Sequence, residues 1–157
     1  MHTIYKILFS SINEGLIIAD SDNNIVDANP RSHELFGYAE NELIGLKINE
    51  LIPMKARERH TAYMANYYNV PTNRGMGGGM TFSAMRKDGS DFSVEISLNH
   101  FESNGQMRVA ALITDVSERA EQESKILALN DNLEKKVNLR TREVIESHEL
   151  YSAIARN

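Results

Sequence analysis

The chain has 157 residues, of which 41% are hydrophobic and 25% charged, and its formal net charge is −5. These values fit one globular domain with an appendage and exclude wholesale disorder. The absence of cysteine excludes disulfides, thiolate metal sites and cysteine nucleophiles. The acidic balance argues against nucleic-acid binding, the longest apolar run is too short for a membrane span, and the N-terminus does not resemble a signal peptide. We therefore expect a soluble, cytoplasmic protein without a membrane segment.

Hydrophobic spacing and turn residues predict helices and a hairpin in the first half of the chain. In chain order these elements are a lead helix over 4–12, strands over 15–20 and 25–28, a helix over 30–38, helical turns over 41–45 and 48–53, and a helix over 55–68. Asn29 is the expected N-cap of the second helix, because Pro30 follows it at the first helical position. The two strands are expected to pair as a hairpin.

The next part of the sequence predicts a loop followed by three antiparallel strands. The loop covers 69–79, and the strands cover 80–85, 92–101 and 107–116. Apolar residues at every second position from Phe92 to Leu98 indicate a sheet with one buried face. Helices segregated from strands predict an α+β fold, in which the central helices cover one face of the sheet. A ligand pocket is expected between these helices and the sheet.

The last part of the chain predicts one long helix, because Gly, Pro and Phe are absent from Asp115 to Asn157. A heptad frame divides its seam into two columns. One column contains Ile126, Leu133, Arg140, Ser147 and Ile154, and the other contains Asn130, Val137, Val144 and Tyr151. This pattern favours a marginal, parallel dimeric coiled coil, in which a seam asparagine fixes register. The alternative is a single amphipathic helix that folds back onto its own domain.

Seven segments, in order, resemble the motifs of the PAS domain family over about residues 4–119. They are Gly15-Leu-Ile-Ile-Ala-Asp, Ile25-Val-Asp-Ala-Asn-Pro, Leu35-Phe-Gly-Tyr, Glu42-Leu-Ile-Gly, Arg86-Lys-Asp-Gly-Ser, Phe92-Ser-Val-Glu-Ile-Ser-Leu and Ile113-Thr-Asp-Val-Ser-Glu-Arg. The resemblance implies a five-stranded antiparallel sheet flanked by short helices. It also implies a sensor that works in signal transduction and dimerises.

The resemblance implies the following organisation: a lead helix over 1–13, a PAS domain over 14–117 and a signalling helix over 118–157. The exit from the last strand into that helix consists of Thr114, Asp115, Val116 and Ser117. We expect a homodimer through the coiled coil and the lead helix. An output domain of a sensor histidine kinase, in a two-component system, is expected in the same chain. A ligand-free structural dimerisation module is the alternative of a different class.

The C-terminal end of the helix supports two further interpretations. Residues 150–157 line up with residues 8–15, which suggests the lead helix of a second PAS domain. Alternatively, Ser147-His148-Glu149-Leu150 resembles the start of a histidine kinase phosphoacceptor box. An ordinary solvated histidine is the other interpretation of His148. The chain contains no catalytic constellation, so we do not expect it to be an enzyme by itself.

His60 is the candidate cofactor ligand, since its placement resembles that of the iron ligand in haem-binding oxygen-sensor PAS domains. Neutral imidazole is a competent haem ligand, and Met80 or Met76 could supply a thioether as sixth ligand. The alternatives are a helix histidine at the surface and methionines that fill a core. A noncovalent flavin, another small metabolite or no cofactor at all also remain open. We expect no metal cluster, and we expect His33 and His100 at the solvated surface.

Overall fold

The computed structural model describes residues 2–69, 74–75 and 80–156. Within them the helices are α1 (His2–Ser11), α2 (Pro30–Phe36), α3 (Met54–Asn69) and α4 (Ser117–Ala155), with a 3-10 helix at Ile48–Leu51. The strands are β1 (Gly15–Asp20), β2 (Ile25–Ala28), β3 (Arg74–Gly75), β4 (Phe82–Met85), β5 (Asp91–Ser103) and β6 (Gln106–Asp115). The chain forms two compact units, of which the first ends at Ser117 and the second begins at Glu118.

The strands form one antiparallel sheet in the order β2-β1-β6-β5-β3, and β4 also pairs with β5. The described sheet therefore has five positions, with β3 and β4 sharing the outermost one. This confirms the predicted α+β class and the five-stranded antiparallel sheet. The loop expected over 69–79 is interrupted by β3, in which Arg74 pairs with Leu98 and Gly75 with Ser97. This short pairing satisfies backbone groups along the free edge of β5.

The segment expected as a helical turn over 41–45 is a series of hydrogen-bonded turns. Asn41 and Gly45 have φ values of 66° and 87°. Two left-handed residues so close together prevent an α-helix from continuing between them. The turns nevertheless place Leu43 in the core, where its side chain is fully buried.

The core lies on one face of the sheet, as the alternating pattern predicted. Opposed residues of neighbouring strands share this face, for example Ile96 with Ile113 and Ile17 with Ala111. The larger buried cluster consists of Ile17, Ile25, Ala28, Leu35, Phe36, Leu43, Leu51, Ala84, Phe92, Val94 and Ile113. The smaller consists of Met64 and Tyr67 of α3 with Leu98 and Val109. Ile96 and Ala111 pack against both clusters, so α2 and α3 cover adjoining parts of the same face.

One buried amide joins the N-terminal elements. The Asn29 side chain is fully buried, and its Oδ1 accepts from the Leu16 N–H at 2.8 Å, the Ser32 N–H at 3.0 Å and the Ser32 hydroxyl at 2.8 Å. Its Nδ2 donates to the carbonyls of Phe9 at 3.2 Å and Glu14 at 3.0 Å. Asn29 thus caps α2, as predicted, and also ties that helix to β1 and to the end of α1.

We expect Asn29→Ala to lower the free energy of unfolding by about 3 kcal/mol, because it removes an N-cap and leaves several buried polar groups unpaired. The measurement is urea denaturation of the whole chain. Asn99→Ala, at an exposed position of β5, is the matched control and should cost well under about 1 kcal/mol. Equal losses in the two variants would contradict the central role of Asn29.

Candidate functional site

The exit from the sheet into α4 is hydrogen-bonded to the start of β5. The Val116 N–H donates to the Ser93 carbonyl at 2.9 Å, and the Ser93 N–H donates to the Ser117 hydroxyl at 3.1 Å. The Asp115 carboxylate accepts from the Ser117 N–H at 2.9 Å, which satisfies a backbone donor in the first turn of the helix. Val116 itself is buried. The structure therefore brings the predicted exit residues together around Ser93.

Arg86 connects this exit with the core. Its guanidinium lies 3.6 Å from the Asp115 carboxylate, and its Nε donates to the Leu35 carbonyl at the end of α2 at 3.1 Å. The same guanidinium lies 4.0 Å from the centre of the Phe92 ring, at a distance that suits a cation–π contact. The Phe92 ring in turn meets Phe36 edge to face at 5.3 Å. One side chain thus contacts a core aromatic, a helix end and the carboxylate that precedes α4.

The exit also contacts the connection between α1 and β1. The Thr114 hydroxyl donates to the Glu14 carboxylate at 3.2 Å. Helix α1 is held by Tyr5, whose hydroxyl donates to Asp27 of β2 at 3.1 Å and whose ring stacks on the buried Phe9 at 5.2 Å. Partial burial, together with the nearby Asp27 carboxylate, raises the pKa of Tyr5. The hydroxyl therefore stays protonated and remains a donor at neutral pH.

His60 lies on α3, half-buried, with Nδ1 at 3.2 Å from Oδ1 of Asn49 in the 3-10 helix. Since a carbonyl oxygen only accepts, this contact places the ring proton on Nδ1 and makes Nε2 the basic nitrogen. Burial lowers the pKa of His60, because desolvation disfavours the charged ring. A neutral imidazole with one nitrogen held by a neighbour has the form that metal-binding histidines require. The tautomer of His60 is therefore compatible with the haem-ligand role that the sequence predicts for it.

The methionines proposed as sixth ligands are placed differently. Met80 exposes 62% of its surface, so its thioether lies at the surface of the domain. Met76 lies outside the described residues. Met64, four residues after His60 on α3, is buried in the smaller core cluster. Among the residues that the structure describes, no group of three or more metal-binding side chains occurs.

Two histidines that were expected at the solvated surface are at least half-buried. His33 is only 8% exposed, and its Nε2 accepts from the Asn41 N–H at 3.1 Å. Its Nδ1 is 3.0 Å from the Asn29 carbonyl, so the ring bridges two backbone groups and holds the turn after α2. His100 is half-buried, and its ring meets Tyr67 edge to face at 6.3 Å. Its position in β5 faces the core because it lies two residues beyond Leu98.

Helix α4 has no buried residue anywhere along Ser117–Ala155. Its apolar seam residues are therefore exposed, among them Ile126, Leu133, Val137, Val144 and Tyr151. Two shallow depressions lie along the predicted seam. The first is lined by Asn130, Leu133, Glu134, Val137 and Asn138, and the second by Glu143, Val144, Ser147, His148 and Tyr151. None of the described helices combines the length and apolar character of a membrane span.

Comparison with known proteins identifies the family. The family model of the PAS domain matches residues 13–118. The chain belongs to the PAS family. It is 25% identical over 131 residues to the sensor protein FixL of Bradyrhizobium diazoefficiens. The aligned region covers 83% of this chain but only 26% of FixL.

Solved structures share the fold. The PAS domain of an HTR-like protein from Haloarcula marismortui is 27% identical, with a TM-score of 0.62 over 73% of this chain and 90% of that one. An RNA-binding light-oxygen-voltage receptor is 20% identical, with a TM-score of 0.64 over 83% of this chain and 37% of that one. PAS domains are non-catalytic sensor modules of signal transduction that commonly dimerise and are linked to output domains. The function of this chain is accordingly that of a sensor domain.

Proposed function

We propose that this PAS domain senses a small ligand or a conformational input and passes it through a parallel dimer of α4 to an output domain in the same chain. A histidine kinase is the expected output. The attachment of Val116 and Ser117 to Ser93 carries the proposal, because it joins the sheet to the first turn of α4. A helix of 39 residues with an exposed apolar seam needs a partner to bury that seam.

The seam residues suit two parallel strands. With Asn130, Val137, Val144 and Tyr151 at the a positions, the d positions hold the other column, which includes Ile126 and Leu133. β-Branched residues at a and leucine at d favour two-stranded coils, and an a-position asparagine specifies register. Four of the five residues that line each depression on α4 are spaced i, i+3, i+4 and i+7. This is the spacing of the holes that receive a partner's side chains in a coiled coil.

Arg86 provides the route from the core to the helix. A change in packing beneath the sheet would move Phe92, against which the guanidinium lies, and would alter its contact with Asp115. Asp115 accepts the backbone hydrogen bond at the start of α4, so its displacement would change how that helix begins. An input acts in this way only if it binds one of the two arrangements more tightly than the other.

Helix α1 offers a second contact between protomers. Ile4, Ile7 and Leu8 lie on one side of it at the i, i+3, i+4 spacing, and all three are exposed. The opposite side buries Phe9 against the domain. We propose that a second copy covers this apolar side, so that the dimer begins before the PAS domain and continues in α4.

Leu133→Glu and Leu139→Glu test the coil directly, because both leucines are 58% exposed in the single chain. Leu133 lies in the seam and Leu139 lies outside both columns. We expect Leu133→Glu to raise the dimer dissociation constant at least about tenfold, since it buries a charge, whereas Leu139→Glu leaves it nearly unchanged. Sedimentation equilibrium of the whole chain measures both. A monomeric wild type, or equal effects of the two substitutions, would contradict the proposal.

A haem sensor is the second candidate function, favoured by the neutral, half-buried imidazole of His60. Haem iron would supply gas binding or a redox change. His60 would hold it through Nε2, while Asn49 keeps the ring in the required tautomer.

The test of the haem candidate is an absorption spectrum, over about 300–700 nm, of protein produced with haem and flavin precursors supplied. A Soret band that disappears in His60→Ala but persists in His148→Ala would support haem as the ligand. A flavin band would favour a noncovalent flavin instead. A flat spectrum would contradict both chromophores and leave a colourless ligand or a ligand-free dimerisation module.

A further inference from the structure

The charged flanks of the seam contain one complementary pair. In a parallel coiled coil, the residue at each g position of the heptad faces the residue at the e position that lies five residues later in the partner helix. The five such pairs within α4 are Gln122–Leu127, Leu129–Glu134, Lys136–Thr141, Glu143–His148 and Leu150–Ala155. Only the pair of Glu143 and His148 joins an acid to a base. This pair becomes an ion pair only when the histidine carries a proton.

The seam holds a small polar residue at the level of the same pair. In the first depression of α4 the hole would receive the partner's Leu133, a side chain large enough to fill it. In the second depression the corresponding side chain is the partner's Ser147, which is small and polar. Glu143 and His148 both line this second depression. Apolar packing therefore contributes less here, and the flanking pair contributes a larger share of the association.

We propose that Glu143 and the partner's His148 form a proton-dependent ion pair that tightens the C-terminal half of the α4 dimer. The proposal rests on the parallel dimer of the preceding section. Tyr151 lies one turn beyond His148 on the same side, and Arg140 lies one turn before Glu143, where it competes for that carboxylate. Glu146 and Glu149 occupy c and f positions, which point away from the partner.

Acidification would strengthen the association of the two α4 helices. Histidine as a residue type changes its charge between about pH 8 and about pH 5.5, and only the protonated form of its ring can make an ion pair with a carboxylate. Two equivalent pairs form in the dimer, one on each side of the seam. Exposed ion pairs are weak, so we expect the dissociation constant to fall about three- to fivefold between these two pH values. His148 would thereby have a role in assembly that needs no phosphotransfer.

Sedimentation equilibrium of the whole chain at about pH 8 and about pH 5.5, in about 0.1 M salt, tests this inference. We expect tighter association at the lower pH in the wild type, and no such change in Glu143→Gln or His148→Gln. Glu146→Gln, which removes an acid on the outer side of the same turn, should keep the change. Circular dichroism verifies that every variant remains helical.

The outcomes separate this inference from the proposed function. A wild-type dimer with the same dissociation constant at both pH values would overturn the proton-dependent pair and leave the coil intact. The pair would also be overturned if either Glu143→Gln or His148→Gln retained the change, or if Glu146→Gln abolished it. A chain that is monomeric at both pH values would overturn the dimer itself.

Discussion

The domain depends on one buried amide. Asn29 uses both its oxygen and its nitrogen to join the end of α1, the first strand and the start of α2, which lie apart in the chain. No apolar side chain could replace it, because the backbone groups that it satisfies would remain buried and unpaired. The connection that it orders, between α1 and β1, is also where the last strand hydrogen-bonds through Thr114 to Glu14. The amide therefore supports the exit towards α4 as well as the core.

The exit itself is held by weaker contacts than the core. The ion pair between Arg86 and Asp115 is half-buried and 3.6 Å long, and pairs of this kind contribute little free energy. Such a contact suits a relay, since two arrangements that differ by a small free energy can be exchanged by a modest input. The seam of α4 has the same character, because Arg140 and Ser147 interrupt its apolar column. Under the proposed function, this marginal stability would make the helix responsive to an input.

Much of the fold could be predicted from local pattern. Alternation predicted β5 and β6, the Asn29-Pro30 pair predicted the start of α2, and the lack of helix breakers predicted α4. Strand β3 could not be predicted, because two residues carry no periodicity. The burial of His33 depends on how the turn after α2 folds back. The contacts of Arg86 could not be predicted, because its partners Leu35, Phe92 and Asp115 are distant in sequence. The sequence shows only that a basic residue opens the turn before β5.

The distance between spin labels on two copies of α4 decides whether the proposed dimer is parallel. The chain has no cysteine, so Glu121→Cys and Glu149→Cys each introduce a single labelling site on the outer side of the coil. A parallel dimer in register predicts one short distance, below about 30 Å, at both sites, since packed helix axes lie about 10 Å apart. The two sites are about 42 Å apart along the helix. An antiparallel dimer would therefore give a distance of at least about 40 Å at one of them, which would contradict the account.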